Sequence, residues 1–301
     1  MKTTILIPCY HRHINLLFKT IEYFINGTVK PYQILISLNG CKFIDNNLIK
    51  KLKTLYSKYF EHFDVIESQE VLIRPIARNY VFDYIKGDII SLCDADDIQH
   101  PQKVEIIEYF FKNYDIVHLM NSYILSKCFE NKNNIDHKNK CFLCKNNFVH
   151  SFQKYKLEDI NFMDPKEIYK LNYYNEKIKP GVKTILAFDN NLKQILPTHG
   201  TCAFTKEVFS KIKFNKLYPR GQDSLFCQEV LLEFKKTMII DASLMIYRNG
   251  WVPQDTHFFE FKSKKGNIYL NLGSSNPPPP GKPREKYEYE YIQNYINDNI
   301  N

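Results

Sequence analysis

Through the first hundred residues the hydrophobic period of the chain alternates between two values, and this limits the fold more than any other feature. "TTILIPCY", "YQILISLNG", "FDVIES" and "DIISLC" are short apolar runs rich in β-branched residues, as in strands buried on both faces. Between them, "INLLFKTIEYFING", "NNLIKKLKTLYSKYF" and "PIARNYVFDYIKG" repeat apolar residues every three or four positions, as in helices with one buried face. The order is βαβαβαβ, which requires a mostly parallel sheet with right-handed crossovers. The expected fold class is α/β: a single Rossmann-like domain with a mostly parallel central sheet, an irregular insert and a C-terminal tail. Ligands of such sheets bind at the carboxyl ends of the strands. Pro8–Cys9–Tyr10, Leu38–Asn39–Gly40 and Asp94–Asp96 fall there.

The pattern continues with a helix in "HPQKVEIIEYFFKN" and a strand in "YDIVHLMNSYILSK", closing a first half at 1–127. Residues 128–195 are rich in Lys and Asn with weak periodicity, and an irregular insert is expected there, inside a second half at 128–272. Order resumes in "GTCAFTKEVFSKI". "RGQDSLFCQEVLLEFKK" reads as a loop entering a helix, and "TMIIDASLMIYRNG" as a pair of strands. Residues 273–301 carry four consecutive prolines and a Tyr-rich polar stretch, a polyproline linker and tail.

Composition narrows the function. The net charge is +8, but the basic residues are spread along the chain without a long block or a nucleic-acid motif, so a solvated lysine-rich surface is expected and a nucleic-acid partner is not. No apolar run reaches the roughly 18–20 residues of a membrane span. The apolar part of "MKTTILIPCYHRH" is too short for a signal peptide, so a soluble protein of a cytoplasm, host cytosol or viral factory is expected. The eight cysteines are then read as reduced thiols, several of them buried. "HKNKCFLCKNNFVH" places His137, Cys141, Cys144 and His150 near one another, with Cys128 in reserve. That is a candidate zinc clip, although the spacing is not that of a standard finger and plain loop residues fit as well.

"SLCDADDIQHP" puts three aspartates in four positions after an apolar strand. Carboxylates this close repel one another. They stay together around a cation, or by capping a helix and forming a turn. Mg²⁺ or Mn²⁺ takes one or two protein oxygens and completes its shell with phosphate and water. Alternation at a strand end predicts that Asp94 faces the sugar of a nucleotide and Asp96 the metal. Asp97 is expected to cap the helix starting near Gln99–Pro101.

With its context, this segment resembles family 2 glycosyltransferases of the GT-A fold. The features are Ala77–Arg78–Asn79 at a helix start, Gly87 before the fourth strand, Asp94–Ala95–Asp96–Asp97 ending it, and Pro101 four residues on. "ILIPCYHR" is similar to the family's first strand, with His11 where Asn is usual. The resemblance covers residues 3–104 and returns weakly at 198–250. It implies a nucleotide-sugar donor, usually a UDP-sugar, with Mn²⁺ or Mg²⁺ on its diphosphate. Pro8, Tyr10 and Arg12 would line the nucleotide pocket, and Asp94 and Ala95 would contact the donor beside the metal ligand Asp96. Asn39, where the family usually has acids, would bond the base. Arg78 would approach the nucleotide or diphosphate, or else form a helix-surface salt bridge.

Glycosyl transfer also needs a base for the acceptor hydroxyl. Asp223 follows Gly221–Gln222 at a helix start. The resemblance assigns it as base of an inverting reaction, with Gln222 where a first acid is usual; an N-cap role fits the same position. His199, Gly200 and Thr201 would edge an acceptor pocket for a saccharide, lipid or protein hydroxyl. His257 is a candidate metal ligand or a loop histidine, and Trp251 a sugar platform or a core residue. Two other classes compete. A sugar nucleotidyltransferase usually opens on a Gly-rich phosphate loop, and "IPCYHRHINLL" has no glycine. A catalytically inactive binding relative would have little reason to keep Asp94, Asp96 and Asp223 together.

Overall fold

The computed structural model describes residues 1–125, 152–164, 174–179, 182–185, 201–216, 222–247, 258–263 and 266–271. Strands β1 (Thr3–Tyr10), β2 (Gln33–Asn39), β3 (His62–Ser68) and β4 (Ile89–Leu92) come first, separated by helices α1 (Ile14–Ile25), α2 (Asn46–Tyr56) and α3 (Arg74–Asn79). A two-residue strand β5 (Ile98–Gln99), helix α4 (Lys103–Asn113) and strand β6 (His118–Leu125) follow. Later elements are β7 (Phe162–Met163), β8 (Tyr174–Lys179), β9 (Val182–Ile185), β10 (Cys202–Thr205), α5 (Lys206–Lys211), α6 (Gln222–Phe234), β11 (Thr237–Tyr247), β12 (Phe258–Ser263) and β13 (Gly266–Asn271).

The main sheet runs β3-β2-β1-β4-β10-β6-β11-β5, with β7 paired to β11. β1, β2, β3 and β4 are parallel, and β6 is parallel to β11. β10 lies antiparallel between β4 and β6. The expected mostly parallel α/β domain is therefore present. β8–β9 and β12–β13 are separate antiparallel pairs.

Both faces of the sheet are buried, which is why its strands read as continuous apolar runs. Ile5, Ile7, Ile34 and Ile36 pack with Leu17 and Ile21 of α1 and Leu52 of α2. Leu6, Leu35 and Ile90 point the other way, onto Phe204, Phe209 and Phe226. The pairing runs from Thr4↔Gln33 to Tyr10↔Asn39 without a slip, so β1 and β2 end side by side. β1 and β4 are so close near Gly87 that a Cβ there would lie 2.6 Å from the Lys2 carbonyl oxygen and 2.7 Å from Thr4 Oγ1.

Several boundaries differ from those read in the sequence. The third helix stops at Asn79, and Phe82–Tyr84 form only a 3-10 turn. Asn79 to Tyr84 are all residues of low helix propensity, so periodicity alone overstated this helix. "TMIIDASLMIY" is one strand, not two; two irregularities in its register with β6 mimic a break. Part of the expected irregular insert is tied to the sheet. Phe162 and Met163 pair with Ile240 and Ile239, Ile160 is buried, and Tyr155 N donates to Gln102 Oε1 at 2.8 Å. The linker and tail at 273–301 lie outside the described residues.

Gly87→Ala is expected to destabilise the fold by about 1–3 kcal/mol, because carbonyl and hydroxyl oxygens occupy the space a methyl needs. A fall in the urea midpoint at unchanged m-value is the measurable outcome.

Candidate active site

The chain leaves β4 at Leu92 and turns through Asp94–Asp97, closed by a 3.4 Å bond from Asp97 N to the Asp94 carbonyl. Thr20 Oγ1 of α1 donates to the Ala95 carbonyl at 2.8 Å, and the Ala95 side chain is buried. The Ala95 side chain is therefore core, and its carbonyl fixes the turn. Asp94 and Asp96 stay partly exposed, while Asp97 points inward and is 1% exposed. The expected cap at Asp97 is corrected: α4 starts at Lys103 with Gln102 before it. Asp97 instead faces a buried cation, Lys103, whose charge interacts with Asp97 and Asp94. Lys103 Nζ donates to Gln99 Oε1 at 2.8 Å and to the Leu92 carbonyl at 3.2 Å. Burial lowers its pKa from the ordinary lysine value. Sequence reading passed over Lys103, although its spacing to Ile106, Ile107 and Phe110 places it on the buried face of α4.

Burial raises the Asp96 carboxyl above its ordinary value; His13 opposes this, Asp94 reinforces it and Arg74 opposes it. Arg74, which the sequence reading also missed, thus places positive charge near Asp96, and His13 lies close to it. Two neighbouring carboxylates, one of them held in an environment that penalises its anionic form, are a hard-oxygen donor set that suits Mn²⁺ or Mg²⁺.

The carboxyl ends of β1 and β2 form the adjoining wall. Pro8 and Tyr10 are half-buried and Arg12 is exposed. The Tyr10 and His11 rings lie 4.1 Å apart, and His11 lies 4.9 Å from Phe43, which is 62% exposed. Burial lowers the His11 pKa, with Arg12 and His13 adding to the effect, so its ring is neutral at neutral pH. Gly40 has φ +74°, and a Cβ there would sit 2.5 Å from His11 Nδ1. Only glycine suits both constraints. Asn39 is held by the backbone around it. Its Nδ2 donates to the Cys9 carbonyl at 3.1 Å, its Oδ1 accepts from Leu72 N at 3.3 Å, and it is 3% exposed. It ties the end of β1 to the loop before α3.

Each residue of Ala77–Arg78–Asn79 has a distinct task. The Ala77 carbonyl accepts from Ser37 Oγ at 2.6 Å, locking α3 to β2. Asn79 donates from Nδ2 to the Phe214 carbonyl at 2.7 Å and accepts from Phe214 N at 3.0 Å. Arg78, 1% exposed, donates from Nη1 to Asp223 Oδ1 at 2.5 Å and lies 4.9 Å from the Phe214 ring centroid. The ion pair expected as the alternative for Arg78 is present, with Asp223 as its partner. Its guanidinium is turned to Asp223, and the bridge is buried. Asp223 is the second residue of α6, inside the first turn and not at the cap, where a carboxylate favours the helix dipole. Gln222 is buried with Oε1 lacking a hydrogen-bond partner.

Thr201 is fully buried. His199, Gly200, Trp251, His257 and the candidate zinc residues Cys128, His137, Cys141, Cys144 and His150 lie outside the described residues. Cys9, Cys41, Cys93, Cys202 and Cys227 are buried and form no disulfide among the described residues. Among the described residues no helix is long and apolar enough to cross a membrane.

Residues 4–185 match the family described as Glycosyl transferase family 2. The chain belongs to that family. A relative from Methanocaldococcus jannaschii, named uncharacterized glycosyltransferase MJ1057, is 22% identical over 275 residues, covering 89% of this chain and 77% of its own. S. aureus TarS 1-349 superposes with a TM-score of 0.53 at 10% identity, over 83% of this chain and 61% of that one. The family 2 chain thus spans less than two thirds of that TarS fragment. Mannosyltransferase PcManGT from Pyrobaculum calidifontis, solved with GDP-Man and Mn²⁺, gives 0.50 at 10% identity, over 84% and 58%. These structures share the GT-A fold with this chain.

Two substitutions probe the buried charges. Lys103→Met is expected to cost roughly 3–5 kcal/mol of unfolding free energy, since it removes the buried cation facing Asp97. Arg78→Met is expected to cost about 2 kcal/mol, less than for a fully buried pair because Asp223 is partly solvated. Urea unfolding of the two variants beside the parent gives both values.

Proposed function

We propose that this family 2 glycosyltransferase moves a hexosyl or N-acetylhexosaminyl group from a nucleotide sugar, with a UDP-sugar as the working donor, to a hydroxyl acceptor with inversion. The observation that carries this reading is the Arg78–Asp223 pair, a carboxylate held by a buried guanidinium in the first turn of α6. The TarS fragment has been solved with UDP and with UDP-GlcNAc, and PcManGT with GDP-Man and Mn²⁺, which supports a nucleotide-sugar donor and a divalent ion.

In this reading Asp96, with Asp94 beside it, would hold Mn²⁺ or Mg²⁺ against the donor diphosphate, which would supply neutralisation of the charge developing on the leaving group. Arg74 and the exposed Arg12 add positive charge on that side. The Tyr10–His11–Phe43 row offers flat faces on which a base stacks, a role given to aromatic contact once Asn39 is committed to backbone. Arg78 occupies Asp223 Oδ1 and leaves Oδ2 for the acceptor. As the new bond forms from the acceptor oxygen to the anomeric carbon, the bond from that carbon to the diphosphate breaks. The hydroxyl proton passes to Asp223.

Binding and turnover separate the roles. Asp96→Ala is expected to abolish the Mn²⁺-dependent rise in melting temperature with UDP. Asp223→Asn should leave that rise intact and lower kcat by about 10²–10⁴-fold. Product anomeric configuration, read by NMR, tests inversion. No response to any nucleotide from folded protein would instead support an inactive relative.

A further inference from the structure

Three soft ligands meet in the core beside the Asp223 helix. In the pairing of β6 with β10, Phe204 stands opposite His118 and Cys202 opposite Met120, which places all four on one side of the sheet. Cys227 of α6 packs in the same core cluster as Met120, Cys202 and Phe204. One ligand atom from each of His118, Cys202 and Cys227 lies within 4.8 Å of the other two. The three residues are 0%, 2% and 4% exposed.

The imidazole supplies a second, independent observation. His118 Nδ1 bonds Thr237 Oγ1 at 3.0 Å, while Nε2 is buried and has no hydrogen-bond partner. The tautomer that donates from Nδ1 aims the Nε2 lone pair into the core. A hydroxyl on the remote nitrogen is the kind of support that orients metal-bound histidines. Burial pushes the His118 pKa down to about 3, so the ring is in its neutral, ligating form. The Cys227 thiol is pushed up by its hydrogen bond to Cys202 and by burial, so the sulfur keeps its proton until a cation displaces it.

We propose that His118 Nε2, Cys202 Sγ and Cys227 Sγ bind one Zn²⁺ ion that ties the start of α6 to the sheet. Two thiolates and a neutral imidazole make an electroneutral complex with a divalent ion, the charge state least costly to bury. Binding forms two Zn–S bonds and one Zn–N bond and releases two thiol protons to solvent. Zn–S near 2.3 Å and Zn–N near 2.0–2.1 Å need ligand atoms roughly 3.4–3.8 Å apart in a tetrahedral site, so side-chain shifts of about an ångström close it. The hard-oxygen pair Asp94 and Asp96 selects a different class of ion. Cys227 is four residues after Asp223 on α6, and the charges of Asp223 and Arg78 both act on it. The role given to the ion, holding Asp223 in place, rests on the proposed base; its binding does not.

The test uses the full chain with Cys128, Cys141 and Cys144 replaced by Ser, reduced and stripped of metal. Co²⁺ is expected to give thiolate-to-cobalt charge-transfer absorption at one ion per chain, abolished by stoichiometric Zn²⁺. Asp96→Ala should keep that absorption, and Cys227→Ala should weaken Zn²⁺ binding by about a hundredfold or more. Alkylation mapped by mass spectrometry needs no core substitution: Zn²⁺ protects Cys202 and Cys227 and leaves Cys9, Cys41 and Cys93 unchanged. Absence of the cobalt absorption, its survival in Cys227→Ala, or equal labelling with and without Zn²⁺ would overturn the site. If the cobalt absorption forms while no nucleotide binds, the zinc site stands and the transferase reading falls.

Discussion

The Arg78–Asp223 ion pair joins residues 145 positions apart and fixes how the two halves of the chain meet. A guanidinium in the core is tolerable only where its charge is answered, and here the answer comes from a carboxylate at the start of α6. The neighbours of Arg78 enforce the same arrangement from both sides. Ala77 is held to β2, and Asn79 clasps the backbone of Phe214. Carboxylate, guanidinium and aromatic ring are thus set by packing before any ligand arrives. That is the preorganisation an electrostatic site requires.

The aspartate turn is supported by the same logic from beneath. Lys103, Gln99 and Asp97 form a buried polar group under a loop whose outer carboxylates repel one another. Such a group specifies one conformation of the turn, because most alternatives would leave a charge in the core unanswered. The two outer acids can then stay close together and partly open to solvent without the loop opening.

Much of this was legible in the sequence because both faces of a parallel sheet are buried and the crossovers are helical. Strand and helix periods were therefore clean through residue 113. The aspartate turn was legible because three acids after an apolar strand have few other uses, and Asp223 because a resemblance pointed to it. What was missed depends on tertiary context. Lys103 looks like a solvated lysine until its helical face is followed, and Arg78 finds a partner that no local spacing reveals. Asn39 sits where a base contact was expected, yet the approach of Cys9 and Leu72 takes its amide. Phe162–Met163 become a strand only because β11 offers an edge.

The position of β10 has a consequence for how the chain reaches its native state. β4 and β6 are not neighbours; a strand from residues 202–205 lies between them and bonds to both. During synthesis the first 125 residues therefore emerge with the β4 edge and the facing β6 edge open, and nothing yet made can satisfy them. Closing them waits on a segment more than seventy residues further along, a long-range pairing of the kind that slows folding and exposes edges to other chains. The amino-terminal half is an unfinished sheet, and the cell that makes this protein must keep those edges apart from other copies until β10 arrives.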